Sequence, residues 1–91
     1  HWQLRLALIR RQLQHQVLFL QLEPLEWISR ECLRHKFLTL LVVALLHRNL
    51  DFQIRIRKVL QYRHLLLEIS SLLRQLIFLI QGHFRLLVER S

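Results

Sequence analysis

The sequence predicts an all-α protein, a small three-helix bundle with helices at about 2–22, 25–48 and 51–81, completed by oligomerisation or by a partner. Three observations carry this expectation. Apolar residues recur at helical spacing over the last third of the chain. Chain punctuation is sparse, with one Pro, one Gly and one Asn. Leu supplies 25 of the 91 residues and Arg 12, and both favour helix. An α+β arrangement is the rival, for reasons found in the first and middle segments.

The first segment, 2–22, reads two ways. Trp2, Leu6, Ile9, Leu13 and Leu20 fit one helical stripe, which Gln16 interrupts. Trp2, Leu4, Leu6 and Leu8 also alternate with polar or small residues, as a half-buried strand would. A hairpin between 2–9 and 16–22 would turn through Arg10–His15, which offers no Gly, Asn, Asp or Pro. Turn chemistry therefore favours the helix.

The second segment, 25–48, opens just after Pro24, a residue suited to a first helical turn. Glu26–Arg30 and Glu31–His35 are i,i+4 pairs that support a helix. Its second half, Phe37–Leu46, is apolar except for Thr39. A helix that is apolar all round is expected to be buried all round, so this run is expected to be central to the domain or to an assembly. Asn49 and Asp51 mark the next break.

The third segment, 51–81, is the clearest. Val59, Tyr62, Leu66, Ile69, Leu73, Leu76 and Ile80 follow one another at spacings of three and four, a continuous heptad-like stripe. Gln61, His64, Glu68, Ser71 and Gln75 repeat that rhythm on another face with polar residues. Its opening stretch, Leu50–Arg57, alternates like a strand, but would leave almost no loop before a helix at Val59. Gly82 stands where a helix C′ residue is expected.

Length bounds the chain to one helical domain, 1–91, or a fragment of a longer protein. With 53% hydrophobic residues, it carries more apolar side chains than three short helices can turn inward. Ala, Gly, Pro, Ser and Thr together number nine, so a core made mostly of Leu specifies its own packing weakly. Surplus apolar surface points to association. The stripe from Val59 to Ile80 is the expected seam, joining this chain to a protein partner or to another copy in a homo-oligomer.

Fourteen Lys and Arg against six acids give a formal charge of +8. Such a field favours nucleic acid, anionic lipid or an acidic protein. Arg10, Arg11, Arg55, Arg57, Lys58 and Arg63 are the candidates for anion or nucleic-acid contact, with Phe52 and Tyr62 placed to stack on bases. A small RNA-binding component of a ribonucleoprotein is thus one alternative function. A helical protein lying on a membrane surface is another. A simple membrane span over Leu65–Val88 is disfavoured by Glu68, Arg74, His83 and Arg85.

Catalysis is not expected. The six His residues include no pair at i,i+3 or i,i+4. Cys32 and His35 make at most half a metal site. No Gly-rich phosphate loop or nucleophile elbow occurs. We therefore expect no enzyme, metal, cofactor or small-molecule substrate. A lone cysteine precludes an intramolecular disulfide and favours a reducing, intracellular compartment.

Overall fold

A computed structural model describes residues 2–22 and 29–90. Among the described residues there are three α-helices: α1 (Trp2–Leu22), α2 (Arg30–Ile56) and α3 (Arg63–Arg90), the last preceded by a 3₁₀ turn at Leu60–Tyr62. No strand occurs among the described residues, so the α+β rival is set aside. Strand-like alternation at Leu50–Arg57 has a helical origin. Leu50 and Ile54, four apart, are buried, while Phe52 and Ile56, on the other side of the helix, are exposed.

Cross-helix contacts fix the directions. Arg10 meets Glu68 and Leu20 meets His83, so α1 and α3 run parallel. Trp2 meets Arg57 and Phe19 meets Lys36, so α2 runs antiparallel to α1. The molecule is a rod 49 Å long and only 16–19 Å thick. Three helices of ~10 Å diameter fill that section, and each can turn only one face inward.

Those inward faces are stripes at helical spacing. Leu6, Ile9, Leu13, Val17 and Leu20 come from α1, with Val17 filling the gap that Gln16 leaves in the predicted stripe. From α2 come Leu33, Leu40, Val43, Leu50 and Ile54. Leu66, Ile69, Leu73, Leu76 and Ile80 come from α3. The last helix packs along both others, whereas α1 and α2 touch each other much less. Two cation–π contacts tie α1 to α2: Lys36 Nζ lies 4.1 Å from the Phe19 ring centre and the Arg57 guanidinium 5.2 Å from that of Trp2.

Three predicted helix ends are corrected: α2 runs past residue 48 to Ile56, α3 begins at Arg63 rather than at residue 51, and it runs past residue 81. Ser29 caps α2: its hydroxyl accepts from the Cys32 N–H at 3.1 Å. The expected start at residue 25 lies outside the described residues. Asn49 does not break α2. The Gln53 amide donates to Asn49 Oδ1 at 3.0 Å and Arg55 pairs with Asp51 at 3.2 Å, while buried Leu50 and Ile54 hold this turn to the core. Nor does α3 stop at residue 81. Gly82 is helical, and His83, Leu86 and Leu87 beyond it face the bundle in whole or part.

The true end of α2 has no glycine to mark it. Lys58 N–H bonds the Arg55 carbonyl and Val59 N–H the Ile54 carbonyl, the paired bonds of a Schellman terminus. Lys58 sits at its left-handed position with φ 55°, which costs a residue with a Cβ about 1 kcal/mol. Lys58→Gly should therefore raise the thermal midpoint by roughly 4–8 °C for a domain of this size. Conversely, Gly82 has helical geometry and nothing within 4 Å of where a Cβ would stand. Gly82→Ala should stabilise by about 0.5–1 kcal/mol in denaturant titrations.

Candidate functional site

The predicted seam closes the bundle from within. Leu66, Ile69, Leu73, Leu76 and Ile80 are core residues, and Val59 and Tyr62 pack partly against them. Val59 lies before α3 rather than on it. The apolar surface available to another molecule lies elsewhere.

It is concentrated on the outer side of α2. Phe37–Leu46 is apolar nearly all round, as read from the sequence, yet the run is not central to the domain. Only Leu40 and Val43 are buried in it. Phe37, Leu38, Leu41, Val42, Leu45 and Leu46 are each between 43% and 65% exposed. The cause is positional: α3 takes the middle of the bundle, so α2 is covered along one side only. Phe52 and Ile56, 64% and 62% exposed, continue the same strip toward the end of the helix. On α1 and α3 the outward apolar residues are interrupted by charge, with Leu4, Leu8 and Leu18 around Arg11 and His15, and Leu67 and Phe78 around Arg74.

The basic candidates separate into two groups. Arg10 Nη1 is 3.0 Å from Glu68 Oε2, bridging α1 to α3, and His64 Nε2 reaches the other oxygen of Glu68 at 3.4 Å. This pair is about 40% exposed on each side, so it contributes roughly half a kcal/mol at most. Arg11 is exposed beside it, ~13 Å along α1 from Trp2.

Arg55, Arg57, Lys58 and Arg63 gather instead where α2 ends and α3 begins, and the structure adds Arg5 to them. Trp2, Arg5, Arg57 and Tyr62 line one shallow recess, in which the Trp2 and Tyr62 rings meet edge to face at 6.3 Å. Arg5 and Lys58 have no acidic partner among the described residues. Arg63 lines a second recess, between α2 and α3, with His47, Asp51 and Ser70. Phe52 does not join Tyr62, since it stands on the outer strip of α2. Arg5 was missed because neighbouring basic residues are the usual sequence signal, and it stands alone at Leu4-Arg5-Leu6.

His83 is buried, with Nε2 2.9 Å from the Leu20 carbonyl oxygen. That carbonyl lies in the last turn of α1, where its helical donor would be the N–H of residue 24, and Pro24 has none. His83 Nε2 donates in its place. Cys32 is a free thiol, half-buried against the core. No group of three His, Cys, Asp or Glu fit to hold a metal occurs among the described residues. By length and composition α2 and α3 could each cross a membrane, and 22% of each apolar window is buried.

No family model, characterised protein or solved structure matches this chain.

Proposed function

We propose that the chain is a non-catalytic helical binding module that associates with a protein partner or with another copy through the outer side of α2. One observation carries this reading: the strip from Phe37 to Leu46 is the most apolar segment of the sequence and stays half-exposed without a charge to interrupt it. Covering a half-exposed Leu yields ~1 kcal/mol, so six or eight such side chains suffice for a stable interface.

Sedimentation of wild type and a Val42→Glu/Leu45→Glu chain tests it. Each is run alone over a range of concentrations, then with an acidic helical peptide and with anionic vesicles. Both substituted residues are well exposed, so each change should alter stability by no more than about 0.5 kcal/mol and leave the helical circular dichroism intact. Wild type should associate alone or with the peptide and the variant under neither condition, whereas binding to vesicles alone would point to a lipid surface instead. A variant that associates as wild type does, or a wild type that stays monomeric throughout, overturns the reading.

The basic recess favours a second reading, in which the same module contacts RNA backbone. Arg5 and Arg57 supply cations beside Trp2 and Tyr62, the pairing used on single strands. Affinity for an oligonucleotide should then fall steeply with salt, and Arg5→Gln/Arg57→Gln should weaken it at least tenfold. Binding insensitive to salt or to those substitutions removes this reading.

A further inference from the structure

We infer that the occupant of α2's outer face is a partner helix with acidic flanks, seated in coiled-coil register. The inference rests on the association reading above and names the chemistry of the partner.

Register is the first argument. Leu38, Val42, Leu45, Asn49, Phe52 and Ile56 follow one another at spacings of four and three, a heptad stripe over about 27 Å of helix. The five apolar members are 50–65% exposed and lie opposite the buried face of the same helix. A lipid surface asks only for an apolar side. A facing helix needs the heptad repeat, because knobs must meet holes along its whole length.

Asn49 is the second argument. It stands in the middle of the stripe, where a polar residue weakens burial but fixes register between two helices. Its Oδ1 accepts from Gln53, and its own amide N–H groups have no partner among the described residues. They are free to donate to a polar side chain opposite. In an acyl layer the same amide would be an uncompensated cost.

Charge settles what flanks the partner's seam. Arg34 stands one turn before Leu38, and Arg48 adjoins Leu45 along one edge of the stripe. Asp51 turns toward α3, where it lines the recess with Arg63 and holds Arg55. From Arg34 to Ile56 no acid other than Asp51 occurs. A second copy would bring another chain of net charge +8 against these arginines. A helix with Glu at its edges would meet them with opposite sign.

The test uses the full chain and a labelled synthetic peptide of three heptads, with Leu and Ile on its seam, one central Asn, and Glu at the flanking positions. Controls are the same peptide with Lys at the flanks and one with the seam residues scrambled. Anisotropy near physiological salt should show the Glu peptide binding at least tenfold more tightly than either control. Leu45→Glu should weaken it at least tenfold, and Arg48→Glu should shift the preference toward the Lys peptide. Equal binding of all three peptides overturns the inference. So does a chain that binds no peptide yet self-associates, which leaves the association reading standing with a second copy as occupant, whereas a chain that only floats with anionic vesicles overturns both. Association that persists unchanged in the Val42→Glu/Leu45→Glu chain defeats the association reading itself.

Discussion

Replacing Leu66 and Leu73 by Glu should abolish the helical fold itself, not merely an association. Both side chains are less than a tenth exposed and sit in the stripe of α3 that faces α1 and α2. Each substitution removes a buried Leu, at a cost of about 2–5 kcal/mol judged from truncations. It also places a carboxylate among the apolar side chains of the core, which adds to the loss. A domain of this length has roughly 5–13 kcal/mol of stability in total. The double variant should therefore lose most of its far-ultraviolet helical signal at 25 °C, and each single variant should melt far below wild type. Val42→Glu/Leu45→Glu, with the same chemistry on the opposite side of the bundle, should keep that signal. A Leu66→Glu/Leu73→Glu chain that stays helical and loses only its partner would put the α3 stripe between chains and contradict the fold described above.

Substitution of His83 should have the next largest effect. Its Nε2–H is the donor to the Leu20 carbonyl, and its ring fills space between α1 and α3. His83→Ala should cost about 3 kcal/mol, combining an orphaned buried carbonyl with a cavity. His83→Leu keeps the volume and loses only the donor, so it should cost about 1–2 kcal/mol. Urea midpoints of the two variants separate these parts. Equal and negligible losses would mean that the bond is absent in solution. Because the donor-bearing Nε2 faces an acceptor, the neutral ring must carry its proton there, and nitrogen-resolved NMR of His83 reports that tautomer directly.

The fold class was legible because one stripe was nearly perfect. Leu66, Ile69, Leu73, Leu76 and Ile80 sit inside as their spacing requires, opposite a polar face that anchors Glu68 to Arg10. Helix ends were much less legible. Asn49 and Gly82 carry low intrinsic helix propensity, but each is a single residue, opposed by several anchored neighbours within one turn. Leu50 and Ile54 hold α2 past Asn49, and His83 holds α3 past Gly82. The actual break falls at Lys58, a residue that sequence rules do not associate with left-handed backbone. The 3₁₀ turn that follows is likewise unmarked.

The candidate site was visible in the residues and misplaced in space. An apolar run on every side of a helix implies burial on every side, provided that the helix lies in the middle. Whether α2 or α3 occupies the middle depends on which helix packs against both others, and no local pattern encodes that. Once α3 is central, the surplus of apolar side chains falls on α2. The register of Leu38, Val42, Leu45, Asn49, Phe52 and Ile56 could have been read from the sequence alone. It was obscured because Leu40, Leu41 and Val43 lie between its members and blur the period.

Methyl-resolved NMR with a soluble nitroxide, at a dilution where the chain is monomeric, tests the placement of α2 most directly. The methyl groups of Leu38, Val42 and Leu45 should relax strongly, while those of Leu33, Leu40 and Ile69 should be shielded. Adding a helix that binds should then protect the first set and leave the second unchanged. Equal shielding of both sets in the isolated monomer would mean that α2 is buried within its own fold, and that no uncovered face exists for a partner to take.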